Sequence, residues 1–202
     1  MVSIIDYGLG NLASVQKALN KLSIGNVITD DHSVIRSSRA ILLPGVGSFQ
    51  QGMQNLRSKG LDRLLTEEVM VNKKKFLGIC LGMQLVATHG TEPVDCEGLG
   101  WVTATVKKIE RNTMRIPHLG WNDTNFSEQA SADLGVSTEG TNYYFIHSYQ
   151  MVPDNRSHII ATADYGGEIV AGIRHDNILA FQFHPEKSQA TGLHLLQQYL
   201  SN

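Results

Sequence analysis

Cys80 sits at the centre of Gly78-Ile79-Cys80-Leu81-Gly82-Met83-Gln84, with a glycine two residues away on either side. A G-x-nucleophile-x-G pattern after an apolar run marks a tight strand-to-helix turn that lifts its central side chain above a sheet. Bulky residues clash in such a turn and glycines do not. A thiol so placed also faces the positive end of the following helix, which favours the nucleophilic thiolate. Backbone N–H groups at the elbow can donate to an oxyanion. A second donor can come from Gly45-Val46-Gly47, where glycine lets the main chain approach a ligand closely.

A cysteine nucleophile needs an imidazole to take and return its proton, and that imidazole needs an acceptor on its other nitrogen. Of eight histidines, His184 is the one that ends an apolar run, Ile178-Leu-Ala-Phe-Gln-Phe183, and is followed by Pro185 and Glu186. Proline favours an extended residue before it, and residues two apart in an extended segment project to one side. His184 and Glu186 are therefore expected side by side, with the carboxylate fixing the ring's tautomer. Taken singly, Cys80 reads as a small buried hydrophobe, His184 as a strand-end residue bonded to main chain and Glu186 as a surface acid. Their joint occurrence is hard to explain as packing. Asp6 could be a third member instead, but beside Tyr7-Gly8 it reads as a loop-shaping acid.

These residues need a scaffold that brings strand ends together. The first half alternates apolar runs with segments of helical period, the pattern of a parallel sheet covered by helices. Val2 to Ile5, Ala40 to Leu43 and Phe76 to Ile79 read as buried strands. Asn11 to Leu22 and a stretch from about Met53 to Val71 read as helices. After Gly100 the segments 101–109, 143–152, 158–163, 169–174 and 178–183 are β-rich and punctuated by turn residues, which predicts an antiparallel or mixed layer added to the core. A helix over 190–200 closes the chain, and 125–142 is the most loop-like stretch. In open parallel sheets ligands bind beyond the carboxyl ends of the strands. The motifs DYGLGN (6–11), PGVG (44–47) and GICLGMQ (78–84) all fall there.

Composition removes other classes. At 202 residues, one domain spanning 1–202 is expected. No apolar run is long enough for a membrane span, and no signal-peptide pattern opens the chain, so a cytoplasmic protein is expected. The net charge of −2, with dispersed Lys and Arg, lacks the footprint of a nucleic-acid binder. Lys73-Lys74-Lys75 reads as a solvated helix end. Two cysteines, Cys80 and Cys96, make no disulfide framework. No metal site and no cofactor is expected.

GICLGMQ with FQFHPEKS, preceded by PGVGSF, resembles the class I glutamine amidotransferases across essentially the whole chain. Within them, IIDYGLGNLASV, IPHLGWN (116–122) and YYFIHSY (143–149) resemble the branch of glutaminase subunits that serve imidazole glycerol phosphate synthesis. The resemblance implies a flavodoxin-like α/β core and a Cys80, His184, Glu186 triad that hydrolyses glutamine through a thioester. It implies an oxyanion held by the N–H groups of Leu81 and of Gly45, Val46 and Gly47. Gln84 would reach the substrate, Glu92 its α-ammonium, and His147, Ser148 and Tyr149 its α-carboxylate.

It also implies a partner. Ammonia at neutral pH is mostly non-nucleophilic ammonium, so a synthesis that uses it benefits from a sheltered path, and one amidase domain leaves no room for the synthase. The implied partner is a (β/α)8-barrel cyclase subunit. Aromatic and apolar residues in turn-like segments are its candidate contacts: Asn11, Pro117, His118, Leu119, Trp121, Asn122, Tyr143 and Lys187. Two other readings use the same residues: a paralogous glutaminase feeding amidino sugars of surface polysaccharides, and a flavodoxin-like thiol redox or binding module. The second has no use for the general acid that His184 and Glu186 would provide.

Overall fold

A computed structural model describes residues 1–110 and 114–201. Its centre is a nine-stranded sheet. In chain order the strands are β1 (Val2–Ile5), β2 (Asn26–Thr29), β3 (Ala40–Gly45), β4 (Lys75–Cys80), β5 (Ala87–Gly90), β6 (Cys96–Glu97), β7 (Val102–Lys108), β8 (His118–Phe126), β9 (Thr141–His147), β10 (Tyr149–Pro153), β11 (Ile159–Asp164), β12 (Glu168–His175) and β13 (Ile178–Phe181). The large sheet has the order β2-β1-β3-β4-β13-β12-β11-β8-β9, and β10-β7-β5-β6 form a second sheet of four. From β2 to β13 the pairing is parallel, and from β13 to β9 it is antiparallel. The five parallel strands have flavodoxin-like order. The antiparallel part expected as an added layer is thus divided: four strands extend the parallel sheet itself, and two, β7 and β10, supply half of the small second sheet.

The parallel strands are continuous apolar runs because both of their faces are covered. In β3 the side chains alternate. Ile41 and Leu43 pack with Phe49, Met53, Leu56 and Trp101, and with Val102, Ala104 and Val106 of the second sheet. Ala40 and Leu42 pack on the other face with Val15, Leu19, Phe181, Leu195 and Leu196. Helices α1 (Leu12–Lys21), α6 (Glu128–Leu134) and α7 (Gln189–Ser201) therefore cover one face. Helices α3 (Phe49–Ser58) and α4 (Leu61–Thr66) cover the other, while α2 (His32–Ser37) and the single turn α5 (Leu81–Gln84) complete the set.

Several expectations change. The helix expected over 53–71 is broken at Gly60, whose φ of 64° is left-handed, and continues past α4 as a π-helical turn, Glu67–Val71. The loop expected over 125–142 contains α6, capped by Ser127 and ended by left-handed Gly135. The run 143–152 is two strands in two different sheets, with Ser148 between them. Within the lysine run only Lys73, exposed just after the helical turn, is a solvated helix end. Lys74 Nζ lies 2.6 Å from buried Glu68 and donates to the carbonyls of Ile35 and Arg36, and Lys75 begins β4 with its ammonium over the Tyr199 ring.

The turn from β4 into α5 rests on two close approaches. A Cβ on Gly82 would stand 1.8 Å from the carbonyl oxygen of Leu43, and one on Gly78 2.8 Å from that of Gly82. Gly82→Ala should therefore destabilise the protein by about 3 kcal/mol or more. Gly25→Ala, where no atom lies within 4 Å, should be neutral or stabilising by up to about 1 kcal/mol. Urea unfolding midpoints of the two variants check the contrast.

Candidate active site

Cys80 is the last residue of β4, and its backbone is turned to φ 55°, ψ −110°. Non-glycine residues seldom hold such a conformation, which costs about 1–3 kcal/mol and tends to occur at functional sites. The chain leaves a buried strand, reverses, and starts α5, whose first N–H, that of Leu81, has no acceptor four residues back. Opposite it, Gly45 pairs with Cys80 in the parallel register. A side chain there would collide with Tyr7 Oη at 2.2 Å and Leu81 Cβ at 2.8 Å. Gly47 follows with φ 113°, and Val46 is 40% exposed. The PGVG main chain thus runs beside the sulfur.

His184 arrives from the neighbouring strand. Phe181 of β13 pairs with Ile79 of β4, so Gln182 falls level with Cys80 and His184 lies two residues beyond. The backbone of His184 is pinned at both ends: its N–H donates to Tyr144 O (2.9 Å), and its carbonyl accepts from Ser188 Oγ (2.6 Å). His184 is extended, and Pro185–Lys187 form a short 3-10 turn. Nδ1 lies 2.8 Å from Glu186 Oε1, and both side chains are almost fully buried. The expected pairing is present, but the turn after Pro185 produces it rather than a continuous extended segment. Burial pushes the imidazole pKa down, yet hydrogen bonding and charge from Cys80 and Glu186 outweigh that and raise it above its ordinary value. Nε2 makes no hydrogen bond of ordinary geometry in the buried interior. The share of the rise that comes from Cys80 therefore reflects its proximity, and the share from Glu186 the bond already formed at Nδ1.

The sulfur opens into a cavity of about 440 Å³ lined by Val46, Gly47, Ser48, Cys80, Leu81, Gln84, Glu92, Pro117, Ile146, His147, Ser148 and Tyr149. Every residue named for the oxyanion and the substrate lines it except Gly45, which sits behind against Tyr7. Gln84 lines the cavity with its Nε2 committed to Tyr149 O (3.0 Å) and Gln182 Oε1 (2.9 Å). Glu92 Oε2 accepts from Phe49 N–H (3.3 Å) at the start of α3. Burial raises the Glu92 carboxyl pKa, and that N–H offsets part of the rise. Asp6 accepts from Gly8 N–H (3.0 Å), the loop-shaping bond expected of it.

The partner candidates separate by depth. Leu119 (57%), Trp121 (47%) and Ile146 (39%) are exposed large apolar residues, and Pro117 is exposed beside them. Asn11 is exposed, and its side chain caps α1. Asn122 and Lys187 are partly buried. Tyr143 must be corrected: it is wholly buried and stacked on Phe183 with ring centroids 4.0 Å apart, so it has no surface to offer. Its neighbour Tyr144 points the other way, against Trp121 and under Lys187 Nζ. The alternation of β9, with 143, 145 and 147 inward and 144 and 146 outward, carries the signal. His118 is buried as well. Two further residues were not read from the sequence. Gln182 places Nε2 3.7 Å from Cys80 Sγ, and it stands out as the one polar residue between Ile178 and Phe183. Ser188 holds both His184 and the N–H of Tyr144.

A cysteine strained at a strand-to-helix elbow, an imidazole–carboxylate pair and a lined cavity above parallel strand ends are the parts that a cysteine-type hydrolase site requires. The model of the family "Glutamine amidotransferase class-I" matches residues 3–201, and the chain belongs to that family. It is 42% identical to "Imidazole glycerol phosphate synthase subunit HisH 1" of Campylobacter jejuni (strain RM1221), covering 99% of both chains. It is 39% identical to "Imidazole glycerol phosphate synthase subunit HisH" of Pelagibacter ubique (strain HTCC1062), again over 99% of each. Among solved structures, one titled "Crystal structure of glutamine amidotransferase" superposes with a TM-score of 0.76 at 18% identity over 98% of both chains, which bears on the fold alone.

Buried histidines give this site a pH signature. Burial lowers His118 to about 4 and His147 to about 3, against 6.5 when exposed. Between those values and 6.5 the unfolded chain binds more protons than the folded one, so stability is full above pH 6.5 and falls as pH drops through that window. His184 has the opposite sign: its raised pKa gives stability that is full below 6.5 and lost only on the alkaline side, so it adds no slope between pH 6.5 and 5. Urea unfolding at pH 7 and pH 5 should show a loss on acidification. The loss should shrink in His118→Asn.

Proposed function

We propose that this protein is the glutaminase subunit of an imidazole glycerol phosphate synthase, acting in histidine biosynthesis. The observation that carries the reading is Cys80 on the cavity wall with the buried His184–Glu186 pair beside it, in a chain so similar, end to end, to subunits of that name. Glutamine enters with its side-chain amide over Cys80. Sγ attacks the amide carbon and the carbonyl oxygen becomes an oxyanion, which main-chain N–H groups of Leu81 and of the Gly45-Val46-Gly47 segment receive. The protonated His184 gives its proton to the departing nitrogen, so ammonia leaves and a γ-glutamyl thioester remains. Water then attacks the thioester with His184 as base, and glutamate departs as Sγ is restored. Glu186 holds Nδ1–H throughout, which directs Nε2 at the reaction and stabilises the imidazolium. Gln84 and Glu92 receive the α-ammonium end of glutamine, and the 147–149 segment receives its carboxylate.

The acceptor for the ammonia is a (β/α)8-barrel cyclase subunit docked over the cavity mouth. What supports this is continuity: Ile146 and Pro117 line the cavity and also belong to the exposed apolar patch with Leu119 and Trp121. A partner seated there covers the exit and keeps ammonia from water. Lys187, over the Tyr144 ring, offers a cation at the rim for an acid of the partner. The complex operates in the cytoplasm, and no helix among the described residues is long and apolar enough to cross a membrane.

Two outcomes test the proposal. With the barrel subunit and its nucleotide substrate present, Cys80→Ala and His184→Ala should lower glutamine hydrolysis by about 10⁴-fold or more, and Glu186→Gln by roughly 10² to 10⁴-fold. A steady-state glutaminase assay reads all three, and parental activity in any of them removes the triad. Trp121→Ala should weaken assembly with the barrel by about 2 kcal/mol, roughly 30-fold in Kd, while leaving the thermal midpoint nearly unchanged. Titration calorimetry and a melting curve separate the two effects.

A further inference from the structure

Behind the carboxylate end of the cavity, two buried histidines lie across from one another in the β8–β9 pairing, His118 opposite His147. His118 Nδ1 is 3.0 Å from His147 Nε2, His147 Nδ1 is 2.8 Å from Tyr149 O, and Asn122 Nδ2 is 3.2 Å from His118 Nε2 and 2.9 Å from Asp164 O. The two ends fix the protons in between. Tyr149 O can only accept, so His147 Nδ1 carries hydrogen and, in the neutral ring, Nε2 is a lone pair. His118 Nδ1 must then donate, which leaves its own Nε2 to accept. At the far end Asp164 O can also only accept, so the Asn122 atom between Asp164 O and His118 is its NH₂, the donor that His118 Nε2 requires. Both ends demand the same direction, and neither could be satisfied with either ring flipped to its other tautomer.

The rings have no freedom to abandon this order. His118 is stacked between Phe145 and Tyr165, with centroids 4.5 Å and 4.0 Å away. Burial keeps both imidazoles neutral at physiological pH, as a one-way chain requires. The chain ends where the backbone changes sheets. β9 stops at His147 and β10 starts at Tyr149, so the His147–Tyr149 bond clamps a crossing of one residue, Ser148, whose carbonyl is held by Ile109 N–H. Tyr149 O also accepts from Gln84 Nε2, so the bond spans two walls of the cavity.

We infer that Asn122, His118 and His147 form a directional hydrogen-bond chain that fixes the shape of the 147–149 crossing for the backbone end of glutamine, so that Asn122 and His118 are positioning residues of the glutaminase site. This rests on the glutaminase reading above. No hydrogen bond joins the chain to Cys80 or to Nε2 of His184, so its first effect falls on binding of substrate rather than on the chemical step.

The test uses the assembled complex with the barrel subunit. His118→Phe keeps an aromatic ring between Phe145 and Tyr165 but removes both nitrogens, and His118→Asn retains a donor where Nδ1 stood. His118→Phe should raise KM for glutamine roughly tenfold, about the worth of one hydrogen bond, with kcat changed less than about twofold. His118→Asn should restore most of the KM. Asn122→Ala should shift KM in the same direction by a smaller factor. Equal damage by His118→Phe and His118→Asn, or a loss confined to kcat, overturns the inference. ¹⁵N imidazole shifts of the unmutated protein test it even if a variant fails to fold: both rings should be Nδ1–H tautomers, and an Nε2–H His147 refutes the chain. A parent complex that does not hydrolyse glutamine is a different failure, one that removes the function reading itself.

Discussion

The site depends on how closely the first turn of α5 approaches the end of β3. With only a hydrogen at Gly82, the helix backbone lies against the carbonyl of Leu43, and the chain must reverse within Cys80 to get there. That reversal explains the positive φ of Cys80, the exposure of its sulfur to the cavity and the closeness of the PGVG segment. Removing the contact would leave a strand that simply ends. The cost of the strained residue is met by the surrounding core, since β3, β4 and β13 are buried on both faces and cannot relax toward an easier turn.

Around this elbow the sheet acts as a ruler. Parallel register sets Gly45 and Gln182 level with Cys80, and two residues further His184 lies within electrostatic reach of the thiol. The imidazole does not move freely there. Its backbone is fastened to Tyr144 and Ser188, and its ring to Glu186. Cys80 and His184 thus stand at and just beyond the ends of adjacent strands, with little conformational entropy left to lose, which is the preorganisation that the proposed acyl transfer requires.

The antiparallel extension serves a different purpose. Its last strands, β8 and β9, carry an outward row that includes Leu119, Trp121, Tyr144 and Ile146, and an inward row that includes His118, Tyr143, Phe145 and His147. One row makes a surface beside the cavity mouth. The other makes the wall behind it. Because both rows share the same backbone, a load on the outer face bears on the substrate end of the cavity through one layer of sheet.

Much of this was legible in the chain. Glycines at 78 and 82 announce the elbow because only a missing side chain permits the approach. The apolar run ending in His184-Pro185-Glu186 announces the imidazole–carboxylate pair because proline and strand end constrain the two polar residues locally. Buried parallel strands are legible because coverage on both faces leaves no polar position. What depended on distant partners was not. Whether Tyr143 or Tyr144 faces out depends on which side of β9 meets the core, and the break at Gly60 depends on how α3 and α4 wrap one face. Gln182 reaches sulfur only through the β4–β13 register, and His118 meets His147 only through that of β8 and β9. Short-range sterics are written in neighbouring residues, whereas register and parity are properties of pairs far apart in the chain, so the tertiary structure alone decided them.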